Sequence, residues 1–374
     1  MPLLDQYILK KFGVPFLYCI FGFVAIWFIW NLSANLPDFI QGHVGLGTIL
    51  RFYALQVPNV IVLSIPVGVL LALLYALTQM SRRNEIISML CCGRSLYRIF
   101  LPFFLVGLFL VALSTYFNYE QAPQAEALKN QMMDEIKNGV QNVKTLNQHL
   151  FRNRIDNRTW YIQTLNVKNQ TALQIQIIQQ DASGDIVEKW YAEGAIYKPD
   201  THTWGFLKIN HVLVNPITNA MKFDYSEVRE ITGWSESPWR IASSSMNPDL
   251  LGVPELKNYL RYNSDFPKAR LAPFFTHLDY RWALPWTCMI VIFLAGPLGI
   301  VYSRRSILSG VALAVGLFSA LLFLSNLFLA LGKGDRCPSW VAAWGPNILF
   351  MGIGIFLLWV KATGRELPKL KWPQ

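Results

Sequence analysis

The sequence predicts an α-helical membrane protein with six transmembrane helices arranged three and three, and a β domain inserted between the halves. Three observations lead there. Six stretches carry the roughly 20 apolar residues that a helix needs to cross a bilayer, three on each side of a long polar interval. Charged residues make up only 15% of the 374-residue chain, where an ordinary soluble domain carries about 25%. Inside the polar interval the hydrophobic period changes from helical to alternating, which is the signature of half-buried strands.

The formal charge of +10 invites a nucleic-acid reading, and its location dismisses it. Between Glu120 and Asp279 there are 17 Lys/Arg and 18 Asp/Glu, a near-neutral balance. The other 16 basic residues face five acids: Asp5, Asp38, Glu85, Asp335 and Glu366. The excess therefore flanks the spans, where it sets topology and meets anionic headgroups. With a cytoplasmic N-terminus, Lys10, Lys11, Arg82, Arg83, Arg94, Arg98, Arg304, Arg305, Lys361, Arg365, Lys369 and Lys371 fall inside. The short outer loops then keep only Arg51, Lys333 and Arg336. Twelve against three puts both termini in the cytoplasm and the β domain outside.

In order, the expected spans run from about Gly13 to Leu32, Val57 to Leu77, Ile99 to Phe117, Trp282 to Val301, Ile307 to Leu331 and Val341 to Val360. The first is too long for a signal peptide, and no small-residue cleavage site follows it. Residues 1–118 thus form one membrane half, 119–277 the external domain, and 278–374 the second half with a short tail. The domain opens with a helix from Ala122 to Asn138, with Leu128, Met132 and Ile136 at helical spacing. Short strands are expected at 159–165, 173–177, 186–197, 204–209, 211–214 and 221–225. Turn signals at Asp156-Asn157, Ser183-Gly184-Asp185, Lys198-Pro199-Asp200 and Asn215-Pro216 separate them. Leu173, Ile175 and Ile177 against Gln174 and Gln176 imply one buried face. Even spacing of this kind fits a sandwich, jelly roll or barrel. Pro254 opens a last short helix, Glu255 to Tyr262, back to the membrane.

Catalytic motifs are missing. No G-x-x-x-x-G-K-[ST], H-E-x-x-H or G-x-S-x-G occurs, and the five histidines are scattered, so neither ATP hydrolysis nor a metal site nor a cofactor is expected. Adjacent Cys91 and Cys92 have no nearby histidine and read as small packing residues. The spans are almost free of ionisable groups, which ion-coupled carriers keep for their relays. Another subunit must supply the energy, or the protein transports nothing. The segment Ser81–Arg98 is the only cytoplasmic handle of any size. On a helix, Glu85, Ser88, Met89 and Cys92 share one face, and Ile86, Met89, Leu90 and Gly93 the neighbouring one. Glu85 near the N-terminus suits the macrodipole and can accept from a partner's Arg or Lys, and Gly93 suits a C-terminal cap. The competing reading pairs Glu85 with Arg82 on an idle surface helix.

Arg83-Asn-Glu-Ile-Ile-Ser-Met-Leu-Cys-Cys-Gly-Arg-Ser resembles the coupling segment of the lipopolysaccharide-export permeases of the LptF/LptG (YjgP/YjgQ) type, departing at Arg94, where that family usually has an apolar residue. Val57-Pro-Asn with Ile65-Pro-Val-Gly, Trp282-Ala-Leu-Pro-Trp, Gly296-Pro-Leu-Gly-Ile, Trp344-Gly-Pro-Asn and the opening Leu4-Asp-Gln-Tyr-Ile-Leu-Lys are similar to other segments of both membrane halves. The resemblance implies a non-enzymatic subunit of an ATP-binding-cassette extractor in the inner membrane of a Gram-negative envelope. A second homologous permease, a dimeric cytoplasmic ATPase and a periplasmic bridge protein are its implied partners, lipopolysaccharide its cargo, and a β-jellyroll-like fold its periplasmic domain. Glu85, Ile86, Met89, Leu90 and Gly93, in a helix of about residues 82–93, are then the ATPase-coupling candidates. For the cargo the candidates are Asn31, Arg51, Lys333 and Arg336 at the outer ends of the spans and Ile175 on the inner sheet face. The outer end of the first span, Trp30-Asn-Leu-Ser-Ala-Asn-Leu-Pro-Asp, has no Lys or Arg, unlike some members of the family. Phosphate contact there is expected from the partner permease. A cassette exporter of another lipid or lipoprotein shares these features. A scaffold or sensor would need a cytoplasmic output domain.

Overall fold

The computed structural model describes residues 3–138, 145–167, 169–181, 183–214, 220–243, 246–300 and 307–363. Arg304, Arg305, the turn at Asn215-Pro216 and the tail cations Arg365, Lys369 and Lys371 lie outside the described residues. By packing, the chain divides into two compact units. One comprises Met1–Met132, Pro248–Leu256 and Ala272–Gln374, the other Met133–Asn247 and Lys257–Leu271.

Six helical stretches in the described residues are long and apolar enough to cross a membrane, on either side of the sheet. They outrun the predicted spans because their polar flanks stay helical. The first helix, α1 (Leu3–Gln41), has 39 residues, and α2 (Leu46–Arg82) has 37. At ~1.5 Å per residue each is nearly twice the ~30 Å of a hydrocarbon core. The short α3 (Glu85–Cys91) precedes α4 (Leu96–Tyr116), which runs through a π turn at Phe117–Gln121 into α5 (Ala122–Asn138). After the sheet come α6 (Pro238–Ser243), α7 (Val253–Tyr262), α8 (Lys268–Ala283), α9 (Thr287–Gly299), α10 (Ile307–Lys333) and α11 (Ser339–Ala362).

Burial separates the spans sharply. In α2 and in the α8–α9 stretch, 72% and 78% of the most apolar window is buried, against 6% in α1 and 17% in α10. The core is therefore α2 and α9, with Leu73, Leu77, Ile290, Val291 and Leu294 almost inaccessible. Water-driven burial does not operate between helices in lipid, so close approach depends on small residues. Gly354 of α11 illustrates this: a Cβ there would stand 2.7 Å from the Phe293 Cβ and 2.9 Å from its carbonyl carbon.

The second unit holds one six-stranded antiparallel sheet in simple chain order: β1 (Thr145–Asn153), β2 (Arg158–Asn166), β3 (Thr171–Gln180), β4 (Ile186–Lys198), β5 (Thr203–Val214) and β6 (Met221–Thr232). The two strands expected at 204–209 and 211–214 are one strand, β5, and β1 was not expected at all. A row of irregular positions interrupts the alternation. Gln148, Gln174 and Lys208, on alternate strands, take φ of +51°, +48° and +51°. The pairing registers place Gln163, Glu193 and Glu227 opposite them in one line across the sheet. Each left-handed residue flips the strand's alternation. In β3 the buried residues are Ile175 and Ile177 on one side and Ala172 on the other. Leu173, expected in the buried set, is 55% exposed because it lies beyond the flip at Gln174.

The row is also a fold line. By register, Trp160 of β2 aligns with His211 of β5, seven residues from Trp204. In a flat sheet those rings would be roughly 27 Å apart, from three strand spacings and seven residue rises. Their centroids are 5.2 Å apart, and Trp160 also lies 6.2 Å from Phe206. The sheet is bent back on itself, and Trp234 fills the fold against Trp160, Trp190 and Phe206. A buried polar group is tied in: the fully buried Glu236 accepts from Arg158 Nη1 at 2.9 Å and from Asn153 Nδ2 at 2.9 Å.

Candidate coupling helix and its surroundings

Asn84, at φ +58°, reverses the chain after α2, and asparagine tolerates that left-handed conformation better than most residues. Ser88 Oγ donates to the Asn84 carbonyl at 3.0 Å. At the other end Gly93 takes φ +80°, with its N–H bonded to Leu90 O at 3.0 Å and the Arg94 N–H to Met89 O at 3.2 Å. That bond pair is the Schellman cap, and the position after the helix favours glycine. A seven-residue helix has too few internal bonds to persist alone, so its two ends and its packing must fix it.

Packing comes from Ile86, which is 1% exposed in the core of the spans, and from Met89 and Leu90, half-buried against that core. Ile86 is thus the anchor of the helix, while Arg82, Arg83, Ser88, Cys91, Cys92, Gly93 and Arg94 are exposed. Glu85 does not pair with Arg82. Its Oε2 accepts from the Tyr7 hydroxyl of α1 at 3.0 Å, and Oε1 has no partner among the described residues. A second link joins the same elements: Arg98 Nη2 of α4 lies 2.9 Å from Asp5 Oδ2 of α1. The segment Ser81–Arg98 is therefore fastened to the first helix at two points.

The cations and the amide expected for the cargo have different surroundings. Asn31 is half-buried and its side-chain oxygen accepts from Asn35 Nδ2 at 2.8 Å; Arg51 and Arg336 are exposed. Lys333 is committed: its Nζ bonds Asp249 Oδ1 at 3.0 Å. The same oxygen lies 2.6 Å from His277 Nε2, and Arg281 Nη2 donates to the Asp249 carbonyl at 2.6 Å. Arg281 Nη1 also donates to Asn118 Oδ1 at 3.1 Å, and Asn118 Nδ2 returns a bond to the Arg281 carbonyl. Burial raises the Asp249 carboxyl, but the Lys333 hydrogen bond and the charges of His277, Lys333 and Arg281 outweigh it and hold it below the ordinary aspartate value. The cluster fastens the Pro248–Leu250 turn to α8 and α10.

A sequence model of the family described as lipopolysaccharide export system permease LptF/LptG matches residues 6–360. The chain belongs to this family. No individually curated protein matches it. As an LptF/LptG-family permease it is a multi-pass membrane protein and a component of lipopolysaccharide transport rather than a catalyst. The permease's fifth cargo candidate, Ile175, is 3% exposed inside the bent sheet. Sequence reasoning missed Tyr7, Asp5, Asp249, His277 and Arg281. Asp5 alone carried a signal, as one of very few acids beside a basic loop. The others pair across long stretches of chain, which local spacing does not encode.

Proposed function

We propose that the chain is one of two permease subunits of an ATP-binding-cassette exporter that extracts lipopolysaccharide from the inner membrane and passes it to a periplasmic β bridge. The observation that carries this is α3: a capped, core-anchored helix with one open carboxylate oxygen, in the one short basic loop large enough to grip a cytoplasmic partner. A separate dimeric ATPase docks on its exposed side. Closure of that ATPase pushes α3, and the Tyr7–Glu85 and Asp5–Arg98 links carry the push into α1. The cavity shared by α1, α2 and α10 then collapses and drives the lipid outward.

Three further features support the reading. The distribution of Lys and Arg favours cytoplasmic termini and a periplasmic sheet unit. The two least buried spans, α1 and α10, are the faces a homologous permease would cover. The outer edge of β6 has no paired strand among the described residues and exposes Phe223, Tyr225 and Val228, a surface suited to strand addition by a bridge protein. The two packed layers of the bent sheet are compatible with the jellyroll-like domain expected of the family. Ile175, inside that bend, meets the lipid only if the layers part.

The test is Glu85→Ala in the assembled complex. Loss of a charge-assisted bond at an interface weakens association at least about tenfold, so ATPase co-purification and lipopolysaccharide release should both fall. Tyr7→Phe, which frees Oε2 but keeps the carboxylate, should retain association. Normal association and export in Glu85→Ala would overturn this role of α3.

A further inference from the structure

Between α1 and α2 the structure has a groove of about 810 Å³, on the part of the helices that leads into the segment Ser81–Arg98. Its walls are tyrosine and aliphatic: Tyr7, Val14 and Tyr18 from α1, Leu71 and Tyr75 from α2. Lys10 and Lys11 stand at one end with Gln79. Among the described residues neither lysine has a carboxylate within ion-pair distance; Lys11 Nζ lies 5.5 Å from the Tyr7 ring centre. From Lys10 to Tyr18, and antiparallel from Gln79 to Leu71, the groove runs roughly 12 Å along the helices. A polar, cationic mouth therefore leads to an apolar trough of about the depth of half an acyl chain.

We propose that this groove binds an anionic glycerophospholipid of the cytoplasmic leaflet, its phosphate on Lys10 and Lys11 and one acyl chain along Tyr18, Leu71 and Tyr75. The leaflet assignment rests on the topology of the proposed function. Charge complementarity selects the occupant: two cations without an acidic partner among the described residues, at the end of an apolar trough, suit a lipid phosphate, and a zwitterionic headgroup answers them less well. Tyr7 forms part of the wall and also donates to Glu85, so the bound lipid sits one hydrogen bond from the coupling helix. The site is separate from any outward-facing cargo path, because its cations lie near the start of α1 and its other wall is the last third of α2.

The experiment is native mass spectrometry of the full chain in detergent, without any ATPase, offered phosphatidylglycerol and phosphatidylcholine of the same acyl chains. One phosphatidylglycerol should be retained preferentially. Lys10→Gln with Lys11→Gln should lower that preference roughly twenty-fivefold, about fivefold for each lysine, while substitution of the exposed Lys257 by Gln leaves it unchanged. A photo-crosslinking residue in place of Tyr75 should capture phosphatidylglycerol from mixed vesicles in which lipopolysaccharide is also present. Equal retention of both phospholipids, no effect of the double substitution, or capture of lipopolysaccharide or of a partner protein at Tyr75 would each overturn the proposal. Because binding is read on the permease alone, a negative result leaves the export reading standing, and failure of the Glu85→Ala test leaves the lipid site standing.

Discussion

Glu236 has no solvent exposure, and the interior of the bent sheet depends on how its charge is answered. Arg158 places one nitrogen 2.9 Å from both of its oxygens and lays its guanidinium 4.3 Å from the Trp234 ring centre. Trp204 Nε1 donates to the Glu236 carbonyl at 2.6 Å. Removing one member of a buried pair strands the other charge, at a cost of about 3–5 kcal/mol. Glu236→Ala should therefore lower the denaturation midpoint of the sheet unit, followed by tryptophan fluorescence of the full chain. Adding Arg158→Leu should recover part of the loss, since replacing both charges removes the stranded one. An unchanged midpoint in Glu236→Ala would show that the charge is solvated by other means. Neither residue was legible as a pair, because 78 positions separate them. Glu85 and Gly93 were legible, since a helix start and a helix end are local events with local residue preferences.

At the scale of elements, the spans were plain in the sequence and their packing was not. Apolar composition names a spanning helix, but in lipid it cannot say which side meets protein, and α1 and α2 read alike although one is exposed and the other buried. Small residues carry the missing information. Gly354→Ala should force α9 and α11 apart and cost about 1–3 kcal/mol, seen as a lower thermal midpoint in detergent. Gly352→Ala, with nothing within 4 Å of the added carbon, should leave the midpoint in place. Equal behaviour of the two would refute the proposed close contact. In the sheet, alternation gave the positions of β2 to β6, with β5 split in two, missed β1 and failed at the fold line. Left-handed backbone is ordinarily announced by glycine or asparagine; here Gln148, Gln174 and Lys208 adopt it, so nothing local marked the flip that exposes Leu173.

For the whole molecule, charge distribution, six spans and the interrupted hydropathy sufficed to read a membrane protein with an inserted β unit, and the coupling-loop and proline motifs sufficed for the family. The cargo path was not readable, and one candidate, Lys333, is bound by the protein's own Asp249. In the proposed function, a separate ATPase drives the lipopolysaccharide permease through α3. The most direct measurement is lipopolysaccharide release from proteoliposomes that contain the chain, a partner permease and their ATPase. Release should require ATP and fall at least about tenfold with Glu85→Ala. Release of a different lipid in its place, or ATP-dependent release indifferent to Glu85, would rule out that coupling.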